Sequence, residues 1–170
     1  MDRREYFRIK DILRLSLKIL PKDSPCPFST QLYQHWQRTD LGPIQSKVEP
    51  ELFNLLVSID RKLNAILEHL LAERAGFGEG DYYEVDLSAG GLALFPKEEI
   101  SVGDLVEVKA ILNTVPPTYV IVYGRVKRSE TTDTGRLKIS MEFQNVAEEL
   151  RSTLVRYVLQ RQREIISGSR

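Results

Sequence analysis

Several short stretches of the chain alternate hydrophobic and polar residues, a period of two that predicts half-buried β-strands. The first lies near the N-terminus, and five more follow in the second half of the chain, where glycine, proline and aspartate mark the intervening turns. The predicted strands cover residues 13–19, 82–86, 92–95, 105–112, 119–126 and 137–143. Short strands at this spacing predict a small six-stranded closed β-barrel, an architecture that leaves no sheet edge exposed.

Residues 21–79, between the first strand and the others, are predicted to form a helical insertion. Its main helix is expected over residues 44–74, where Pro50 and Glu51 are typical of a helix start. Six apolar residues in this helix follow one another at alternating steps of four and three, the heptad pattern of a coiled coil: Leu52, Leu56, Ile59, Leu63, Ile66 and Leu70. We predict that these six residues form an oligomer interface.

The width of the apolar face bears on what this helix contacts. With Ile59 and Ile66 assigned to a positions and the leucines to d, the pattern favours a two-stranded coil. Further apolar residues widen the face beyond a two-stranded seam: Phe53, Leu55, Val57, Leu67 and Leu71. The helix therefore either packs on its own barrel or self-associates. The sustained heptads favour self-association, as a tetramer or else as a dimer.

Two further helices are predicted outside this segment. A short one is expected over residues 29–37, from its composition and the polar residues at its start. The second covers residues 146–167, and Asn145 with Glu148 resembles a capping box at its beginning. Its apolar stripe is predicted to plug or pack against the barrel, or alternatively to join the oligomer interface. The fold class is therefore mainly β with added α.

The composition is typical of a folded globular protein, with 42% hydrophobic and 28% charged residues. A length of 170 residues suits one domain over residues 1–170, with residues 80–145 as the barrel body. The 24 basic and 24 acidic residues cancel, so no overall field attracts DNA. The sequence has no apolar run long enough for membrane insertion and no signal peptide, so the cytoplasm is the expected compartment.

Catalysis and metal binding are not expected. The single cysteine, Cys26, excludes an internal disulfide and an all-cysteine metal site. The two histidines, His35 and His69, both lie in the insertion and have no accompanying cluster of acid or cysteine residues. We therefore predict neither an enzyme nor a bound metal or cofactor.

The N-terminal residues carry the first of two candidate binding motifs. Arg4 and Arg8 are spaced as Arg-x-x-x-Arg and are preceded by Arg3. Guanidinium groups can hold phosphates through two parallel hydrogen bonds and can stack on flat rings. Residues 1–8 have no apolar periodicity, so we expect them to form a mobile arm.

The second motif is Asp-x-Ser-x-x-Gly, formed by Asp86, Ser88 and Gly91. It lies between two predicted strands and is expected to be a tight polar connection. A carboxylate and a hydroxyl two residues apart at a strand end point to the same side and offer acceptors to the donor-rich edge of a guanine. Gly91 permits a positive φ or a close backbone approach to whatever is bound.

Together and in this order, the two motifs resemble the PilZ family, small β-barrel receptors for the bacterial second messenger cyclic di-GMP. The hallmark of that family is Arg-x-x-x-Arg on a flexible arm before the barrel and Asp/Asn-x-Ser-x-x-Gly on the barrel. The resemblance covers about residues 1–20 and 80–145. A tetrameric branch of the family carries a helical insert similar to that in this chain, which favours a four-helix bundle.

The resemblance implies a role for each motif residue. Arg4 and Arg8 would contact phosphates and guanine edges, Arg3 would add a phosphate contact, Asp86 would accept from guanine N–H groups, Ser88 would hydrogen-bond nearby, and Gly91 would keep the turn open. Ligand binding would order the arm and change the surface offered to an unidentified effector protein. The alternative is an oligomeric scaffold that binds no ligand and acts through protein contacts.

Overall fold

The computed structural model describes residues 7–31 and 41–168. Within them the chain forms seven β-strands: β1 (Ile9–Ile19), β2 (Thr30–Gln31), β3 (Asp81–Ser88), β4 (Gly91–Leu94), β5 (Leu105–Leu112), β6 (Thr118–Thr131) and β7 (Leu137–Gln144). The same residues form three α-helices, α1 (Gly42–Gln45), α2 (Pro50–Arg74) and α3 (Glu148–Gly168), and a turn of 3-10 helix at Phe77–Glu79.

Six of the strands form a closed antiparallel barrel, as the alternating pattern predicts. Their order is β6-β5-β1-β3-β4-β7, and the pairing of β7 with β6 closes the barrel. The length of β6 makes this closure possible, because its first part pairs with β5 and its second part with β7. The short strand β2 pairs with β6 at Ile121 and Val120.

The barrel interior is aliphatic because inward and outward side chains alternate along each strand. Leu13 and Leu15 of β1 are each 1% exposed, and Val106 and Val108 of β5 are fully buried. Four residues of α3 join the same core: Leu150, Leu154, Tyr157 and Val158. The first half of α3 therefore packs against the barrel as predicted, whereas Ile165 near its end is 49% exposed.

Helix α2 contacts the barrel near its C-terminal end. Ala72 is buried there in a small cluster with Phe77 and Tyr119, and His69 Nδ1 lies 3.2 Å from the Tyr119 hydroxyl. Most of the predicted heptad residues are about half exposed in the single chain: Leu52 (47%), Ile59 (44%), Leu63 (55%), Ile66 (56%) and Leu70 (50%). The sixth, Leu56, is partly buried. The apolar face of α2 is thus largely uncovered by its own barrel.

Two details of the helix prediction are wrong. The helix begins at Pro50 and not at residue 44, because α1 and a turn precede it and Pro50 supplies the first helical position. The predicted assignment of the isoleucines to a positions and the leucines to d positions is also reversed. A step of three leads from a to d, so Leu56 and Leu63 occupy a, and Ile59 occupies d. In parallel coils, Leu at a with Ile at d favours trimers or tetramers over dimers.

The short helix expected over residues 29–37 is contradicted at its start. Ser29 is fully buried, and the two residues after it form β2. The Ser29 hydroxyl donates to the Gln144 carbonyl at 2.8 Å and accepts from the Tyr123 amide at 2.9 Å, so it joins the barrel wall and does not cap a helix. Residues 32–37 of that prediction lie outside the described residues.

The capping box predicted at Asn145 is not formed. Asn145 has a positive φ of 46° and precedes the first residue of α3 by three positions. Its side-chain Nδ2 donates to the Cys26 carbonyl at 2.9 Å. Asn145 therefore anchors the loop before β2 to the end of β7, and asparagine suits it because this residue tolerates the left-handed region.

A buried carboxylate joins β1 to α3. The Asp11 side chain is 4% exposed, and Arg161 donates to both of its oxygens, from Nε at 3.0 Å and from Nη2 at 2.8 Å. The Tyr157 hydroxyl also donates to Asp11 at 2.5 Å. Burial would raise the pKa of Asp11, but the bonds from Arg161, Tyr157 and the Ile12 amide outweigh it and lower the pKa. Asp11 is thus held as a charged group.

Candidate functional site

Strand β1 brings the two sequence motifs to one place on the barrel. Arg8 and Asp86 are separated by 77 residues along the chain. In the fold Ile9 pairs with Leu87, so continuing the antiparallel register sets Arg8 opposite Ser88. Arg8 is exposed at the start of β1. Arg3 and Arg4 lie outside the described residues.

One row of paired residues crosses four strands of the barrel close to the start of β1. Lys10 on β1 pairs with Asp86 on β3, Asp86 with Ala93 on β4, and Ala93 with Ser140 on β7. Neighbouring strands lie about 4.8 Å apart, so this row spans roughly 14 Å. Its side chains are small or charged, and Ala93 in the middle of the row is only 4% exposed.

Asp86 lies within β3 and not in the connection between strands, where the sequence pattern puts it. Its Oδ2 accepts a hydrogen bond from Lys138 Nζ on β7 at 2.5 Å. The two side chains are partly buried, with 22% of Asp86 and 31% of Lys138 exposed. Lys138 reaches across β4, where Ala93 has only a methyl group between the two charges. The carboxylate of the motif is therefore neutralised by a residue from outside the motif.

Ser88 and Gly91 define the turn between β3 and β4. Ser88 is 5% exposed, and its hydroxyl donates to the Gly91 carbonyl at 3.2 Å and accepts from the Gly90 amide at 3.3 Å. A Cβ on Gly91 would lie 2.5 Å from the carbonyl oxygen of Met141. Gly91 is thus needed for the close approach of β7. Its φ is not positive, so that part of the sequence prediction is wrong, and its approach to a ligand stays a prediction.

A shallow groove of about 460 Å³ lies along the row of Lys10, Asp86 and Ala93. Its lining includes Lys10, Glu84, Asp86, Phe95 and Lys138. With Asp11, which also lines it, the groove combines two cations, three carboxylates and an aromatic ring. Such a surface suits a polar ligand that carries both anionic groups and hydrogen-bond donors.

Phe95 forms one end of this groove and the start of a second one. The Arg136 guanidinium lies 4.3 Å from the centre of the Phe95 ring, within the range of a cation–π interaction. Beyond it, a cavity of about 520 Å³ is lined by Tyr82, Lys97 and other residues. Tyr82 is 72% exposed, so this second groove also presents an aromatic surface.

Sequence reasoning missed Lys10, Phe95 and Lys138 as members of the site. The alternation in β7 contains a signal for Lys138, because its neighbour Ile139 is fully buried and Lys138 must therefore face outward. What the pattern does not contain is the pairing of β7 with β4, which brings Lys138 to Asp86. The adjacency depends on barrel closure and not on local sequence.

The described part of the chain has no group of three or more histidine, cysteine, aspartate and glutamate side chains placed to hold a metal ion. The helices that the structure describes include none that is long and apolar enough to cross a membrane.

Comparison with solved structures shows a shared fold. A tetrameric PilZ domain protein from Xanthomonas campestris, self-assembled through a helical bundle, superposes with a TM-score of 0.61 at 18% identity, over 96% of this chain and 91% of that one. The Bacillus subtilis inhibitor of motility, MotI/DgrA, gives a TM-score of 0.54 at 13% identity over 96% of this chain, which spans about half (53%) of that protein. The PilZ domain of YcgR from Escherichia coli, solved with cyclic di-GMP, gives a TM-score of 0.49 at 13% identity, over 99% of this chain and 98% of that one, a score too low to count toward the shared fold.

Comparison of sequences identifies the family. A search of curated proteins gave no significant match. The profile of the PilZ domain family matches residues 69–160, more than half of the 170 residues. The match begins in the last part of α2 and ends within α3, so it contains β3 to β7. Together with the closed barrel and the motif on β3 and β4, this match establishes that the chain belongs to the PilZ family.

Proposed function

We propose that this chain is a receptor for cyclic di-GMP. Membership of the PilZ family supports the proposal, and one structural observation carries it. The register of β1 against β3 sets Arg8 beside Ser88 and Asp86 although 77 residues separate them. An arginine of the first motif therefore lies beside the strand that carries the second motif, and Asp86 of that motif lines the groove.

The chemistry of each group matches a part of the ligand. Arg8, with Arg3 and Arg4 ahead of it, supplies guanidinium groups for phosphates and for the O6 and N7 acceptors of guanine. Asp86 supplies a carboxylate for guanine N–H donors. Ser88 holds the turn that fixes Asp86 and the start of β4.

The N-terminal arm couples binding to a change of surface. Phe7 is 69% exposed, so it is not a core residue of the ligand-free protein. Ordering a residue costs about 1–2 kcal/mol of backbone entropy, and a hydrogen bond to a charged group contributes about 1.5–3 kcal/mol. The arm therefore docks when the anionic ligand adds such bonds, and the docked arm offers an effector protein a different surface.

Binding is tested by titration calorimetry of the full chain with cyclic di-GMP. We expect heat from the unsubstituted chain and a loss of affinity of about 10- to 100-fold for Arg8→Ala or Arg4→Ala. Arg163→Ala, an exposed arginine on α3, is the matched control and should bind as the unsubstituted chain does. Absence of binding by the unsubstituted chain would leave the scaffold function as the better account.

We further propose that α2 assembles the chain into a tetramer. The half-exposed heptad residues, the Leu-at-a and Ile-at-d order and the likeness in fold to a tetrameric PilZ protein support this. A helix of 25 residues is about 37 Å long, enough for three heptads to pack along a bundle. The same assembly serves the second candidate function, an oligomeric scaffold that acts through protein contacts.

Light scattering of the full chain tests the assembly. Four times the monomer mass is expected, and twice that mass would replace the tetramer by a dimer. Ile59→Asp puts a charge on the seam and should dissociate the assembly. Asn54→Asp introduces the same side chain at an f position, away from the seam, and should leave the mass unchanged. A monomeric unsubstituted chain would refute self-association.

A further inference from the structure

The ion pair between Lys138 and Asp86 lies where the proposed ligand binds. Lys138 Nζ is 2.5 Å from Asp86 Oδ2, and both side chains line the groove beside Lys10. Lys138 belongs to β7 and to neither sequence motif. A ligand that binds the Asp86 carboxylate would therefore displace this lysine.

A guanine edge and Lys138 compete for the same carboxylate. The N1–H and N2–H groups of guanine are adjacent donors that use both oxygens of a carboxylate, whereas Lys138 already holds Oδ2. A lysine is a point charge on a flexible stem, so it can move to another acceptor without a change in the backbone. At 31% exposure, Lys138 can reach an acceptor within the groove.

The charged groups around the groove determine which acceptor the Lys138 ammonium group binds once it leaves Asp86. Lys10 lines the groove on the β1 side. Besides Asp86, the carboxylates of Glu84 and Asp11 line it, and Asp11 is already paired with Arg161. Guanine donors are neutral, so a base bound to Asp86 leaves the charge of Lys138 without its partner. The phosphates of a cyclic dinucleotide are the anions that arrive with that base.

We propose that Lys138 is a further ligand-binding residue, which holds Asp86 in the free protein and passes to a phosphate of the dinucleotide when guanine takes the carboxylate. This inference rests on the proposed receptor function and adds a residue to it. The exchange leaves neither group without a partner: Lys138 and Asp86 pair with each other before the ligand binds, and afterwards a phosphate pairs with Lys138 while the guanine donors hydrogen-bond to Asp86.

A double-mutant cycle separates this role from simple neutralisation of Asp86. Calorimetry with cyclic di-GMP is done on the full chain and on Lys138→Met, Asp86→Asn and the double variant. Asparagine is the other residue that the family motif admits at this position. We expect Lys138→Met to weaken binding by about 10- to 100-fold, the range for a bond to a charged group, and by a similar factor in the Asp86→Asn background. The double variant contains no unpaired charge, so the test survives if Lys138→Met alone folds poorly.

Lys18→Met is the matched control, because Lys18 is an exposed lysine at the opposite end of β1. It should bind as the unsubstituted chain does. If Lys138→Met binds normally, or if its effect vanishes in the Asp86→Asn background, Lys138 contacts no phosphate and the inference is overturned while the receptor function stands. Absence of binding by the unsubstituted chain would overturn both.

Discussion

Removal of Arg161 is expected to destabilise the fold through the buried charge of Asp11. The two side chains join α3 to β1 through two hydrogen bonds, and Asp11 is 4% exposed. Arg161→Met keeps an unbranched side chain of similar reach but leaves the carboxylate without its cation. The remaining donors to Asp11 are the Tyr157 hydroxyl, the Ile12 amide and, at 3.5 Å, the Asn113 side-chain amide.

The expected loss is about 3 kcal/mol of the free energy of unfolding. Removing one partner of a buried ion pair costs about 3–5 kcal/mol. Arg161 is 27% exposed, so water reaches part of the vacated space and the loss should fall at the lower end of that range. The double variant Asp11→Asn, Arg161→Met contains no buried charge and should recover most of the loss.

The contribution of Asp11 to the free energy of unfolding should depend on pH. The pKa of Asp11 in the folded protein is lowered, although burial acts against this, because Arg161 and Tyr157 donate to the carboxylate. The unfolded value is about 3.9, so this stabilisation is present above that pH and is lost as the pH falls through the folded pKa. In Arg161→Met the effect of burial is offset only by the remaining donors, so the pKa of Asp11 is lowered less or raised. The deficit relative to the unsubstituted chain should therefore grow from acidic to neutral pH.

Urea unfolding followed by circular dichroism, at one chain concentration and several pH values, measures these differences. Glu164→Gln is the control. It removes the charge of Glu164, a 46% exposed side chain to which Arg161 Nη1 donates at 2.6 Å, and should change stability far less than Arg161→Met does. A loss below about 1 kcal/mol for Arg161→Met, the range of exposed pairs, or a loss independent of pH, would refute the account of Asp11 as a buried charge.

Three further substitutions test the barrel, each by urea unfolding. Gly91→Ala should lower stability by about 1–3 kcal/mol, because its Cβ would lie 2.5 Å from the Met141 carbonyl, whereas Gly78→Ala meets no atom within 4 Å and should have little effect. Ser29→Ala should lower it by about 1–3 kcal/mol, because a buried amide of β6 loses its acceptor. Leu154→Ala should lower it by about 2–5 kcal/mol, since this side chain of α3 is 1% exposed in the barrel core. Unchanged stability in any of these would contradict the packing described for that residue.

The barrel could be predicted because its information is local. Each strand alternates apolar and polar residues, and turn residues separate the strands, so the six barrel strands follow from the pattern and a closed barrel is the expected way to arrange them. The motif on β3 and β4 could be found for the same reason, since its residues lie within six positions. The heptads of α2 are also local, and the structure leaves their apolar face largely uncovered.

Contacts between distant segments could not be predicted in this way. Ser29 has the composition of a helix cap, yet its hydroxyl bridges β6 and β7, an outcome decided by tertiary packing. Asn145 has the spacing of a capping box, yet it turns the chain with a positive φ. Lys138 reaches Asp86 because β7 and β3 both pair with β4. In each case the deciding partner lies far away in the sequence.

The insertion shows why distance in sequence does not separate the two motifs. Strands β1 and β3 are antiparallel neighbours, so the chain that joins them takes the place of a hairpin turn and its ends lie close together, with Leu15 paired to Asp81. Closing a longer loop adds only about 0.6 kcal/mol for each doubling of its length. Ser29 and β2 return the chain to the barrel wall partway, which shortens the free loop further. A helix that extends the molecule can thus be added between the motifs while Arg8 remains beside Ser88, because the register of β1 depends on β3 and not on the segment between them.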